Sequence, residues 1–348
     1  MKTANLVAKN TYAKRKESSK MKKLLSFFLV LTFIITVAGC GRANSSKNAQ
    51  PEITSPNSAI PQETTIPGLT SKSEAPVIVT DSRGVEIIFD KSPEKVITLM
   101  PSNTEILYAL GSGEQIIAVS EYCNYPEDTA NKQKFPTGEQ LDIEVLIALK
   151  PDAVLIGSMS AMDDQIKQLE DSGIKVIVTE ANNLSDTYKV INLIGTVMGK
   201  QTEATKLVED MEKGFEEIRE NVKDKTSSTV YVEVSPLQYG LWSGGKNTFI
   251  QELMDIIGAK NIFDDIEGWK AVSEEQVLAR NPAIILTTAS PLTGIEDPVG
   301  EISARANWSG VDAIKNKKVL MLDSDMITRP GPRLLDAAKE LVKAVYAE

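Results

Sequence analysis

Residues 142–156 read DIEVLIALKPDAVLI and residues 273–287 read SEEQVLARNPAIILT. The two stretches keep a constant offset of 131, from Asp142 to Ser273. Each has a helix-capping residue, a glutamate two positions on (Glu144, Glu275), an alanine (Ala148, Ala279) and a proline (Pro151, Pro282) before an apolar run. A side-chain oxygen at the cap satisfies an amide of the first helical turn. The proline blocks the helix, and the short apolar run behind it reads as a buried strand. Each copy therefore predicts a cap, a short amphipathic helix, a turn and a strand. Set in separate halves of the chain, two copies predict duplicated α/β lobes with a cleft between them.

At 348 residues the chain is long enough for two domains of ordinary size. It contains no histidine, which excludes Ser-His-Asp and Cys-His catalysis and His-ligated zinc. The first forty residues hold eight Lys/Arg and one acid, leaving 30 basic against 47 acidic residues in the remainder. An acidic surface cannot displace counterions from nucleic acid, so no nucleic-acid partner is expected. It does suit docking onto a basic partner.

From Met21 the chain shows a basic start, an apolar core and the small residues Val37-Ala38-Gly39 before Cys40. This is the layout of a secretory signal peptide. The apolar run is near the lower limit for a membrane span, but the small residues and the closing cysteine favour cleavage over a permanent anchor. The ending resembles the lipobox of bacterial lipoproteins, which implies cleavage before Cys40 and lipidation of its sulfur. Residues 1–20 are lysine-rich and lack an apolar run, so Met21 is a candidate true start. Residues 41–75 are Ser/Thr/Asn/Pro-rich and read as a flexible tether. With Cys40 lipidated, Cys123 is left unpaired.

Residues 77–89 alternate around Asp81-Ser82-Arg83-Gly84 and predict a hairpin. Strands are expected at 96–100, 116–120 and 175–179, and helices from Pro101 to Gly111 and at 163–171 and 186–198. Residues 202–223 lack proline and place Leu207, Met211, Phe215 and Ile218 on one helical face. This is the longest helix signal, spanning about 30 Å per 20 residues. It reads as a stiff connector between lobes, the alternative being a surface helix of one lobe. A second lobe restarts with a strand at 229–234 and a helix at 248–257 closed by Gly258. The chain ends with a strand at 319–323, a loop over 324–332 and a helix from Arg333 to Tyr346. The expected fold is α/β: two Rossmann-like lobes with mostly parallel sheets, joined by one long rigid helix, with a ligand cleft between them. The expected boundaries are signal peptide 1–40, tether 41–75, first lobe 76–200, connecting helix 201–226 and second lobe 227–348.

Residues 240–247, GLWSGGKN, come close to a phosphate-binding loop. Asn247 stands where a magnesium-binding hydroxyl is required, Trp242 would crowd the phosphates, and an exported protein has no ATP supply. These glycines are instead expected to shape a loop at the cleft rim, carrying Trp242 toward a ligand.

The motifs Ser102-Asn103-Thr104-Glu105 and Tyr122-Cys123-Asn124-Tyr125-Pro126 precede residues 143–152 (IEVLIALKPD) and 268–280 (GWKAVSEEQVLAR). In this order they resemble the substrate-binding lipoproteins of ABC importers, in the branch that takes up cobalamin, ferric siderophores and haem. The similarity is greatest to the cobalamin-binding members and runs from about Val77 to the end. It implies two α/β lobes joined by a helix, little hinge motion, and a corrinoid held between the lobes as transported cargo. Carried over residue by residue, Tyr122 resembles a ring-touching tyrosine, Trp269 a ring-stacking tryptophan, and Asp325 with Arg329 a polar pair facing the ligand. Arg329 reads equally as a structural partner of Asp325. Gly138 and Gly157 stand where other tryptophans of the cobalamin binders fall. Glu144 and Glu275 stabilise their helix N-termini through the dipole, and the resemblance implies that they also meet arginines of the permease. Trp308 reads as core packing, and Cys123 as a small turn residue rather than a metal ligand.

The sequence thus predicts a non-enzymatic, monomeric, extracytoplasmic lipoprotein on the outer face of the cytoplasmic membrane. Its expected partners are permease subunits, a small-molecule ligand and, through Cys40, the membrane. No catalytic residue, metal site or resident cofactor is expected. Ferric-siderophore or haem capture is the alternative within the class. An exported two-lobed enzyme is the alternative outside it, disfavoured because no nucleophile motif is intact.

Overall fold

The computed structural model describes residues 76–138, 141–158, 163–289 and 294–346. The signal peptide, Cys40 and the tether lie outside these residues. The hairpin is present as β1 (Val77–Thr80) and β2 (Glu86–Phe89), paired antiparallel with Val79 opposite Ile87. Asp81 closes its turn by accepting from the amides of Arg83 (2.9 Å) and Val85 (3.2 Å). A first parallel sheet follows, made of β3 (Val96–Thr98), β4 (Ile116–Ser120), β5 (Gln133–Phe135), β6 (Ala153–Gly157) and β7 (Lys175–Thr179), in the order β5-β4-β3-β6-β7. Strands β3 and β6 are buried along their whole length, as a parallel sheet covered on both faces requires. The covering helices of this lobe are α1 (Pro101–Ala109), α2 (Ile143–Ala148), α3 (Asp163–Asp171) and α4 (Leu184–Val197).

Helix α5 (Gln201–Val222) then leads into a second sheet. Strands β8 (Thr229–Glu233), β10 (Lys260–Asn261), β12 (Ile284–Thr287) and β13 (Val319–Met321) lie parallel in the order β10-β8-β12-β13. The order β4-β3-β6-β7 of the first lobe recurs here. A separate antiparallel ribbon pairs β9 (Trp242–Gly244) with β11 (Trp269–Ala271). The helices of this half are α6 (Phe249–Ile256), α7 (Glu274–Arg280), α8 (Pro298–Ser303), α9 (Asp312–Lys315), α10 (Ser324–Thr328) and α11 (Leu334–Tyr346).

The repeated stretch folds the same way twice. Asp142 caps α2 by accepting from the Val145 amide (3.1 Å), and Ser273 caps α7 by accepting from the Gln276 amide (3.3 Å). Both helices end in a left-handed residue 131 positions apart, Lys150 (φ 50) and Asn281 (φ 42), each followed by its proline. The chain must turn within a few residues to enter a strand running back along the helix. Proline keeps the preceding residue out of the right-handed helical region, and these two residues take the remaining tight solution. Strands β6 and β12 then begin at Ala153 and Ile284, also 131 apart.

Helix α5 buries Ala204, Met211, Phe215, Ile218 and Val222 on one face. That face joins a single apolar cluster containing Ile106 and Ile191 of the first lobe and Val230, Phe249, Leu253 and Leu341 of the second. Helix α5 packs on α4 from one side and on α6 and α11 from the other, so it belongs to both lobes. Each sheet has a further cluster on its other face, around Ile97 and Val154 in one lobe and around Tyr231 and Trp308 in the other.

Three expectations needed revision. The stretch 240–247 is not a free loop: it forms β9 and pairs with β11, a pairing between distant segments with no local signal. The stretch 324–332 contains helix α10, capped by Asp323, which accepts from the Met326 amide (3.1 Å). Helix α4 starts at Leu184 rather than Asp186, because Asn183 caps it by accepting from the Asp186 amide (2.8 Å).

Because Phe215 sits in the cluster common to both lobes, Phe215→Ala should cost about 3–5 kcal/mol. Denaturant unfolding followed by circular dichroism should show both lobes losing stability in one transition. Separate transitions, with one lobe unaffected, would contradict a common core.

Candidate functional site

The carboxyl ends of β3, β6 and β7 open on one region, which Pro330 of the second lobe also lines. The first turn of α1, which follows β3, is polar yet buried: Ser102, Asn103, Thr104 and Glu105 are all shielded from solvent. Asn103 donates to the Thr179 hydroxyl at the end of β7 (2.9 Å), and the Thr104 hydroxyl lies 3.1 Å from the Cys123 sulfur. Burial pushes the Cys123 thiol up from its ordinary value. A cleft of about 80 Å³ opens at these strand ends, lined by Met100, Ser102, Asn103, Gly157, Asn182 and, from the second lobe, Pro330.

On one flank of the cleft a polar network joins the lobes. Glu105 on α1 accepts from Arg329 Nη1 (3.0 Å) and from Arg333 Nε (2.9 Å) and Nη2 (2.6 Å). Arg329 also donates to Asn124 Oδ1 (2.8 Å) and to the Tyr122 carbonyl (3.1 Å), and pairs with Asp325 at 2.7 Å. Asn124 in turn donates to Asp325 Oδ2 (2.6 Å). The Arg333 guanidinium stacks 4.4 Å from the Tyr125 ring centre. The two cationic and two anionic side chains cancel, so the network offers no surplus charge to a ligand.

The other flank is tied by the backbone and by apolar contact. The Phe249 amide at the start of α6 donates to the Asn182 carbonyl after β7 (2.8 Å). Glu252 of α6 accepts from the Leu184 amide at the start of α4 (2.6 Å). The Phe249 ring meets Trp269 edge-on, with centroids 5.1 Å apart.

Trp269 and Trp242 lie on the same face of the ribbon, because Trp269 pairs with Gly244 and Trp242 with Ala271. On the opposite face Ser243 is buried, and its hydroxyl donates to the Val232 carbonyl (2.8 Å). Gly245 lets the ribbon form, since a Cβ there would lie 2.3 Å from the Ile266 carbonyl oxygen. The amides of Gly245 and Lys246 are spent on the carbonyls of Gly268 (3.0 Å) and Ile266 (2.8 Å). They cannot cradle a phosphate, which removes the nucleotide-loop reading on geometric grounds.

The expected ligand residues therefore fall into two groups. Tyr122, Asp325 and Arg329 meet in the polar network, with the Tyr122 side chain exposed. Trp242, exposed, and Trp269, half-buried, share the ribbon. Trp308 is fully buried, donating to Glu274 (2.8 Å) beneath the Arg305 guanidinium, as expected of a core residue. Glu144 and Glu275 are exposed in the first turns of α2 and α7. Each helix runs antiparallel to the strand it feeds, so each glutamate emerges at the carboxyl edge of its sheet. The Ser273 hydroxyl and the backbone amide of Glu275 itself hold the Glu275 carboxylate below its usual value. Sequence reasoning missed Glu105, Arg333 and Phe249. A signal existed only for Glu105, a charged residue on a helix that otherwise reads as buried.

The family model for the periplasmic binding protein matches residues 96–326. The chain belongs to this family. It is 34% identical to the uncharacterized ABC transporter substrate-binding lipoprotein YvrC of Bacillus subtilis, over 94% of this chain and 99% of that one. It is 30% identical to the vitamin B12-binding protein of Pectobacterium atrosepticum, over 72% and 87% of the two chains. A structure described as a possible iron-binding, periplasmic solute-binding protein from Staphylococcus epidermidis superposes with a TM-score of 0.63 at 34% identity, covering 74% of this chain and all of that one. The family is one of periplasmic solute-binding proteins, not of enzymes, and the chain is the substrate-binding component of an ABC transporter. Permease subunits and a small-molecule ligand follow as its partners.

Gly245→Ala should destabilise the protein by about 1–3 kcal/mol, because the added methyl must displace backbone. It should also weaken the near-ultraviolet dichroism of the ribbon tryptophans. An unchanged spectrum would mean that Gly245 does not control their setting.

Proposed function

We propose that this chain is a monomeric lipoprotein, anchored through Cys40, which captures a corrinoid and hands it to the importer's permease. Supporting the ligand class are the pair of indoles on one ribbon face and, on the other flank, a charge-neutral polar network. A corrin ring is broad and largely apolar, with amides at its edge. Indole faces can cover its plane, and polar groups such as Tyr122, Asp325 and Arg329 can meet its fringe. Ligand pockets commonly hold about 300–1,000 Å³, so the enclosed 80 Å³ is too small for a macrocycle. The ring would lie across the mouth, between the ribbon and the Tyr122 loop. An anionic ferric siderophore would need an unmatched cation, and both arginines of the network are already paired.

Glu144 and Glu275 are proposed as the permease-docking pair. Exposed carboxylates add little stability through isolated ion pairs, so their contribution would be to register and orientation. The acidic balance of the mature chain suits a basic docking face.

Titrating the chain from Gly41 onward with cyanocobalamin, cobinamide, haem and a ferric siderophore, read by tryptophan quenching, tests the ligand assignment. Saturable quenching by a corrinoid is expected, and Trp269→Ala should weaken it roughly tenfold, about 1.4 kcal/mol. Saturable binding of haem or siderophore with no corrinoid response would reject the assignment. Replacing Glu144 and Glu275 by Ala should leave corrinoid affinity unchanged while cutting cellular uptake by about tenfold or more. A matching loss of affinity would instead place the two glutamates in the ligand site.

A further inference from the structure

The network around Glu105 has a direction that its contacts reveal. Glu105 stands on α1 of the first lobe, and both arginines it holds come from the segment between α10 and α11 of the second. Its carboxylate is almost fully buried and takes three guanidinium bonds, while Arg329 reaches past it to Asn124 and the Tyr122 carbonyl. Pro330, the residue after Arg329, lines the cleft.

We propose that Glu105 is a positioning residue for ligand binding: without touching the ligand, it clasps the second lobe to the first and so fixes the width of the cleft. The proposal deepens the binding reading above and rests on that reading for the ligand it would retain. The opposite flank is held by the Phe249 amide on the Asn182 carbonyl, by the Glu252 carboxylate on the Leu184 amide and by packing against α5, none of which involves Glu105 or its two arginines. Loss of the Glu105 charge leaves Asp323 and Asp325, both on the second lobe, as the carboxylates that balance the two guanidinium groups, so the first lobe no longer holds them by charge and one flank opens while the other remains as the pivot. A buried pair is costly to break from one side only, which makes the clasp switch between closed and open rather than stretch.

The test uses the full chain without ligand. Glu105→Gln keeps the shape of the side chain and removes its charge. Amide hydrogen exchange in residues 122–124 and 327–334 should rise about tenfold or more, with the amides of β3, β6 and β12 unchanged. Unchanged exchange in the two inter-lobe segments, or an equal rise in the sheets, overturns the proposal. If Glu105→Gln does not fold, Arg333→Lys, which loses the forked contact and keeps the charge, decides by the same criterion. In a second measurement, cyanocobalamin should leave the variant about tenfold faster while associating at a rate within about threefold of the parent. Equal dissociation rates would overturn the proposal. If the parent chain binds no cyanocobalamin, the corrinoid reading fails, and the ligand-free exchange still decides the clasp.

Discussion

The structure depends first on an apolar cluster that does not respect the boundary between its two halves. Each βα lobe has a sheet face to cover, and in a separate domain each would need its own set of helices there. Here one helix is common to both: the Met211, Phe215 and Ile218 face of α5 packs among Ile191 of the first lobe and Phe249 and Leu341 of the second. Separating the lobes would expose this surface at roughly 25 cal/mol for each Å². The relation between the lobes is therefore set at the back by burial, before any polar contact at the front is made. A cleft is what remains where the two carboxyl edges cannot meet.

On that frame the duplication is strict where geometry is forced and loose where it is not. The cap, the left-handed residue, the proline and the strand start all recur at the same offset, because a helix feeding a parallel strand has few ways to turn. The divergence lies at the strand ends. Between β3 and α1 the chain spends two residues, whereas between β8 and α6 it inserts the segment carrying Trp242, whose strand then pairs with the one holding Trp269. Indoles are thus present on one lobe only. The facing lobe offers a buried polar helix start, and the charges that cross the gap cancel one another.

Much of this was legible in the residues. The strands at 116–120 and 175–179, the helix at 163–171, the connector and the buried role of Trp308 follow from periodicity, caps and composition. What could not be read were pairings between distant segments. Nothing near Trp242 announces that Ala271 lies opposite, and nothing near Glu105 announces Arg329 and Arg333, more than two hundred residues away. The loop expected over 324–332 failed for a related reason, since a five-residue helix carries too little periodicity to show and is held by Asp323 and its neighbours.

The sequence by itself determined the duplicated α/β lobes, the absence of imidazole chemistry and the outward glutamates, because each follows from local sterics, capping or the presence of a residue type. Tertiary structure alone decided that the two indoles share a face, that the glycine-rich stretch is a ribbon rather than a phosphate loop, and that Arg329 is matched by Glu105 and Asp325. Those outcomes depend on which distant atoms come within bonding distance. That is a property of the packed chain and not of any window along it.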